Sequence, residues 1–198
     1  MDENSKYQMI VMGASAGGLN AYSQLLPELS VALKQPIIIV QHLFDEAESY
    51  LPTHLSRLCH KDVIETNDKE LIRPGKIYVS PPGYHIALDD KKTISLAFDP
   101  RVNYSRPSID VLFESASEHY REHLIAVIMT GANNDGAHGI AQVKRYGGTT
   151  IAEDPETAEA PVMPSAAIKT GAVDVILPLK KIASYINDLL KGERDGET

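Results

Sequence analysis

The stretch Met9 to Leu26 constrains the fold most tightly. Met9-Ile10-Val11-Met12 is a short apolar run and reads as a buried strand. Gly13 ends it, and Gly17-Gly18 opens a segment that reads as a helix through Leu25-Leu26 to Pro27. A small-residue turn between strand and helix lets the backbone approach a ligand closely, because glycine presents no Cβ. It also aims free N–H groups and the positive end of a helix dipole at whatever sits there. One hydroxyl, Ser15, lies in that turn. The residues alone leave two readings of it, nucleophile or helix cap.

The rest of the chain repeats the unit. Ile37-Ile38-Ile39-Val40 has the apolar, mostly β-branched character of a strand covered on both faces, with Gln41 and His42 at its end. Residues 49–58 read as a helix with Pro52 in its first turn and Leu51, Leu55 and Leu58 on one face. Short strands are expected at Val63-Ile64-Glu65-Thr66 and Lys76-Ile77-Tyr78-Val79. Tyr84 to Leu88 and Thr93 to Phe98 alternate around the polar turn Asp89-Asp90-Lys91-Lys92. This pattern predicts an antiparallel hairpin, expected at one edge of the sheet.

Pro107-Ser108 opens a helix to about His119, with Ser108 as its cap. Leu124 to Met129 is the second strong buried strand, followed by a polar loop to Gly136 and a helix from Ala137 to Tyr146. Thr149 to Ala152 and Val173 to Leu177 read as strands, Ser165 to Thr170 and Leu179 to Leu190 as helices. Strands alternating with helices predict an α/β fold, a doubly wound, mainly parallel sheet with helices on both faces. At 198 residues, one domain over 9–191 is expected, between polar tails at 1–8 and 192–198, the last expected to fray.

In such sheets, sites form outside the carboxyl ends of the strands. The polar residues just past the strong strands are Ser15, His42, Asp135 and Asp154. A serine, a histidine and an aspartate therefore converge on one edge. Gly13-Ala14-Ser15-Ala16-Gly17 matches the Gly-x-Ser-x-Gly nucleophile elbow, with a strand before it and a helix after. The same stretch nearly matches the dinucleotide fingerprint Gly-x-Gly-x-x-Gly. Ser15, however, fills the place of the second glycine, and Gln41-His42 stands where an acid should hold a ribose.

Of seven histidines, His42 alone follows a strong parallel strand, and His138, three residues past Asp135, is its rival. Asp135 reads either as a cap of the helix after it or as the group that orients His42. His119 and His123 have metal-ligand spacing but no third ligand, so no metal site is expected there. Cys59 follows a helical face with nothing nearby to activate it.

A net charge of −8 argues against nucleic-acid binding. No apolar run is long enough to span a membrane, and the polar N-terminus lacks a signal-peptide layout. With Cys59 alone no intramolecular disulfide forms, and the cytoplasm is the expected compartment.

Together these residues resemble the catalytic domain of CheB-type protein-glutamate methylesterases. The resemblance runs from about Ile10 to Lys191. It rests on Gly13 to Gly18, Val40-Gln41-His42, Ile77 to Gly83, Arg106-Pro107-Ser108-Ile109-Asp110-Val111-Leu112-Phe113, Met129-Thr130-Gly131 with Asp135-Gly136, and Met163-Pro164. It implies a Ser-His-Asp mechanism on Ser15, His42 and Asp135, with the backbone N–H groups of Ala16 and Ala132 at the oxyanion. It implies hydrolysis of glutamyl methyl esters on chemoreceptor cytoplasmic helices, with glutamine deamidation in some members and no cofactor.

The sequence departs from the family pattern at Ala132-Asn133, where Met-Gly is usual, at Ser105, where histidine is common, and at Glu153, where glutamine is common. The Ala132-Asn133 change motivates an alternative, a catalytically weakened signalling or scaffold module of the same fold. Most relatives carry an N-terminal receiver domain. A strand starting at Met9 leaves no room for one, so control by a separate receiver or methyltransferase protein, or none, is expected.

Overall fold

The computed structural model describes residues 6–42, 50–90 and 92–191. The first half of these residues forms β1 (Met9–Ala14), α1 (Gly18–Leu25), β2 (Ile37–Gln41), α2 (Leu51–Leu58), β3 (Val63–Glu65), β4 (Ile77–Val79), β5 (His85–Leu88) and β6 (Ile94–Ala97). The second half forms α3 (Ile109–Tyr120), β7 (Leu124–Ile128), α4 (Ala137–Arg145), β8 (Thr149–Glu153), α5 (Val162–Lys169), β9 (Val175–Leu177) and α6 (Leu179–Lys191). Ser49, expected at the start of α2, and the terminal segments 1–5 and 192–198 lie outside the described residues.

Seven strands make one sheet in the order β3-β4-β2-β1-β7-β8-β9, and every pair in it is parallel. Alternate residues of each strand feed opposite cores, as the two-residue period of a strand requires. Ile10, Met12, Ile37 and Ile39 pack with Tyr22, Leu25, Leu55, Ile182 and Ile186, the inner faces of α1, α2 and α6. Met9, Val11, Ile38 and Val40 pack with Leu112, Phe113, Ile140, Val143 and Met163, the inner faces of α3, α4 and α5. This is the expected doubly wound arrangement.

The hairpin forms, but not as part of the main sheet. β5 and β6 pair only with each other, His85 opposite Ala97 and Leu88 opposite Ile94. Their apolar residues Ile86, Leu88 and Ile94 join Tyr78, Leu112 and Phe113 in the second core. The alternating pattern requires one buried face, and α3 together with the main sheet satisfies it as well as an edge would. Two boundaries also shift. α5 starts at Val162, earlier than expected, because Pro164 sits in its first turn, where its missing N–H is harmless. β9 starts two residues later than expected.

Candidate active site

β1 lies between β2 and β7, so the chain leaves it in one direction and later returns on its other side. That reversal is the switch point at which doubly wound sheets open a crevice. The register of β1 on β2 pairs Ala14 with Gln41, so Ser15 and His42 emerge side by side from adjacent strands. His42 N–H donates to Ala14 O at 3.2 Å, and Ser15 N–H donates to Thr130 O at 2.9 Å, beyond β7. The Gln41 side chain ties the two ends together. Its Nε2 donates to Ser15 O at 2.8 Å and to His42 O at 3.0 Å.

Two glycines shape this edge. A Cβ on Gly13 would stand 2.4 Å from Ile109 Cγ2, so the absence of a side chain lets the start of α3 lie directly against β1. Gly17 has φ of 79°, a left-handed conformation that favours glycine, and it turns the chain from Ser15 into α1. α1 has no side-chain cap, and neither Ala16 N–H nor Ala132 N–H meets an acceptor among the described residues. Both residues are exposed.

Asp135 is fully buried. Its Oδ2 accepts from His42 Nε2 at 2.8 Å and from Ile109 N–H at 2.6 Å. Its Oδ1 accepts from Ser108 Oγ at 2.8 Å, Asn103 Nδ2 at 3.1 Å and Asp110 N–H at 3.3 Å. The carboxylate therefore fills the N-terminus of α3, not of the helix after it. Ser108 precedes α3 as expected, but its hydroxyl donates to Asp135 and makes no cap bond of its own. Burial pushes the Asp135 carboxyl up, and the bonds from His42, Ile109 N–H and Ser108 outweigh that and hold it below the ordinary value.

An ionised Asp135 only accepts, so the His42 tautomer carries its proton on Nε2 and presents Nδ1 as an acceptor. Around Nδ1 stand Ser105 Oγ at 3.3 Å and Asn133 Nδ2 at 3.4 Å. The Ser15 hydroxyl has no hydrogen bond among the described residues.

A second carboxylate lies beside the first. Asp110 accepts from Gly139 N–H at 2.6 Å and from Asn103 Nδ2 at 2.8 Å, so Asn103 bridges the two aspartates. Burial raises Asp110 to about 6, with the Asp135 charge adding to the rise. On the far side of Ser15, Thr130 Oγ donates to Ala16 O at 2.8 Å and accepts from Ala160 N–H at 2.8 Å. Thr130 N–H in turn donates to buried Glu153 at 2.9 Å.

Ser15, His42 and Asp135 thus lie at one edge, His42 bonded to Asp135 and Ser15 on the neighbouring strand end, and Asp154 does not join them. Asp154 Oδ1 accepts from Glu156 N–H at 2.9 Å and shapes its own turn. His138 is exposed and pairs with Glu114 at 2.7 Å. His85 is buried, accepting from Ser108 N–H at 3.2 Å and contacting Pro100 O at 3.1 Å. Burial pushes the Cys59 thiol up to about 11, with Lys61 opposing, so it stays protonated. His123 Nδ1 lies 2.6 Å from Lys6 O. Among the described residues no cluster of three or more His, Cys, Asp or Glu side chains is placed to hold a metal ion, and no helix is long and apolar enough to cross a membrane.

Sequence reasoning missed Asn103, Thr130 and the contacts of Ser105 and Asn133. The one signal available was the place of Asn103 and Ser105 just before Arg106 to Phe113, and of Thr130 and Asn133 within the polar loop Thr130 to Gly136.

Comparison with known proteins points to one family. The family model described as CheB methylesterase matches residues 10–186. A Leptospira interrogans protein, whose name pairs protein-glutamate methylesterase with protein-glutamine glutaminase, is 48% identical over 177 residues, 89% of this chain and 92% of its own. The Clostridium acetobutylicum protein-glutamate methylesterase/protein-glutamine glutaminase is 33% identical over 94% of this chain, which spans 54% of that relative. The crystal structure of the Thermotoga maritima CheB methylesterase catalytic domain superposes with a TM-score of 0.88 at 34% identity, covering 92% of this chain and 98% of that one. On sequence and fold together, this chain belongs to the CheB methylesterase family.

Proposed function

We infer that the chain is a chemotaxis-type protein-glutamate methylesterase that hydrolyses glutamyl methyl esters on the cytoplasmic helices of methylated chemoreceptors. The observation that carries the reading is the 2.8 Å bond from His42 to a buried, fivefold-bonded Asp135, on the strand end beside Ser15. Ser15 Oγ attacks the ester carbonyl while its proton passes to His42 Nδ1. Asp135 holds the ring through Nε2–H and stabilises the imidazolium. The N–H groups of Ala16 and Ala132 receive the oxyanion, and one such donor is worth about 2.7–4 kcal/mol in comparable sites.

The tetrahedral adduct collapses, the C–O bond to methoxide breaks, and His42 returns the proton to give methanol. Water, activated by the same nitrogen, then releases the glutamate. With glutamine as substrate, the same steps expel ammonia, the second activity named for the relatives. The catalytic unit spans residues 9–191 and works in the cytoplasm. A separate receiver or methyltransferase protein is the regulatory partner to seek.

The deciding experiment measures methanol release from methylated receptor by the wild type and Ser15→Ala. Loss of about 10³-fold or more with an unchanged circular dichroism spectrum is expected. Unchanged release removes Ser15 from the mechanism. Receptor binding without turnover in both proteins supports the scaffold alternative.

A further inference from the structure

The His42 nitrogen that has to take the Ser15 proton is already in contact with other groups. Asn133 Nδ2 lies 3.4 Å from Nδ1, and Ser105 Oγ lies 3.3 Å from it. Asn133 Nδ2 also donates to Ser105 Oγ at 3.3 Å. The orientation of the Asn133 amide is fixed independently, because Asp135 N–H donates to its Oδ1 at 3.1 Å. An amide turned by that bond has only its NH2 to offer His42. The Ser15 hydroxyl, by contrast, has no partner among the described residues.

We propose that Asn133 is a positioning residue that restrains the general base: its NH2 occupies the Nδ1 acceptor of resting His42, and the Ser15 hydroxyl must displace it before acylation. This rests on the methylesterase reading given above. The physical basis is an asymmetry between the two neighbours of Nδ1. During acylation the proton moves from Ser15 Oγ to Nδ1 as Oγ bonds to the carbonyl carbon, so Nδ1 changes from acceptor to donor. Ser105 can rotate its hydroxyl and turn from donor to acceptor. The Asn133 NH2 can only donate, so it favours the neutral ring and opposes the imidazolium. Asn133 therefore works against the charge that Asp135 stabilises from the other side of the same ring.

The test is the rate at which a fluorophosphonate labels Ser15 in the wild type, Asn133→Ala and Asn133→Asp, with Ser15→Ala as the blank. Labelling of Asn133→Ala is expected to be roughly three- to tenfold faster than that of the wild type, the factor one weak neutral hydrogen bond is worth. Asn133→Asp keeps an acceptor for Asp135 N–H and gives Nδ1–H a partner, so it should label at least as fast as Asn133→Ala. If Asn133→Ala loses its fold, Asn133→Asp decides the question alone.

Nitrogen NMR of the resting protein supplies a readout that a purely structural role would not move. The His42 Nδ1 resonance should shift toward that of an unbonded imidazole nitrogen in Asn133→Ala, and toward that of a protonated nitrogen in Asn133→Asp. Wild-type labelling as fast as that of the folded variants, or an unmoved Nδ1 resonance, overturns the restraint while leaving Ser15 as nucleophile. No labelling in any protein overturns the nucleophile reading and the restraint with it.

Discussion

Two of the helices that begin at the catalytic edge use their N-termini in opposite ways. α3 is filled: Ile109 N–H and Asp110 N–H both reach the Asp135 carboxylate, which also accepts from Ser108, Asn103 and His42. α1 is open: it follows Gly17 without a side-chain cap, and Ala16 N–H has no acceptor among the described residues. The filled end fixes a negative charge that orients His42. The open end keeps donors free for a charge that exists only during the reaction. A helix N-terminus stabilises anions in either case. What differs is whether the protein or the substrate supplies the anion.

Emptying the filled end should have the largest effect. Asp135→Asn keeps the shape but removes the charge that fixes the His42 tautomer. Methanol release is expected to fall by roughly 10⁴-fold. The donors left badly matched at α3 should lower unfolding stability by about 1–3 kcal/mol in urea titration. A variant with near-normal turnover would mean that α3, not His42, is what Asp135 serves.

Loosening the open end should cost less. Thr130→Val keeps the volume but breaks the bonds from Oγ to Ala16 O and from Ala160 N–H to Oγ. With the Ser15 turn no longer held, turnover should drop by roughly 10- to 100-fold. An unchanged rate would show that Ser15 N–H bonded to Thr130 O and Gln41 Nε2 bonded to Ser15 O hold the turn without the Thr130 hydroxyl.

The aspartate beside the filled end sharpens the contrast through pH. Asp110 titrates at about 6 in the fold against an ordinary 3.8, so its contribution to stability is complete below 3.8 and lost as pH rises through about 6. Melting temperature should therefore rise between pH 7 and pH 5 in the wild type, at about 2–4 °C per kcal/mol for a chain of this size. Asp110→Asn should lack that part of the rise. Asp135 behaves oppositely: held below its ordinary value of 3.8, its contribution persists above that pH and disappears only below it.

The smallest effect is expected at Glu153. Burial raises its carboxyl despite the bond from Thr130 N–H. Glu153→Gln keeps an acceptor for Thr130 and removes the charge, so it should stabilise by up to about 1 kcal/mol at pH 7. The gain should vanish below the ordinary carboxyl value of 4.5, as seen by thermal melts at pH 7 and pH 4. A gain that survives at pH 4 would place its origin elsewhere.

Much of the molecule was legible residue by residue. The apolar runs at Met9 to Met12, Ile37 to Val40 and Leu124 to Met129 became β1, β2 and β7, the centre of the sheet. Ser15, His42 and Asp135 stood out because each follows one of them. The hairpin was legible as a pair of strands but not in its position, since alternation specifies a buried face without naming what covers it. Ser108 looked like a cap by local chemistry, and a carboxylate 27 residues away took its hydroxyl instead.

Sequence by itself determined the order of elements and which polar side chains stand at the carboxyl edge, because periodicity and strand ends are local properties. Tertiary structure alone decided that Asp135 fills α3 while reaching His42 across 93 residues of chain. It also decided that Asn133, with its Oδ1 taken by Asp135 N–H, turns its NH2 to the base. Hydrogen-bond partners are chosen by distance and direction in space, and a linear pattern of residue types carries neither.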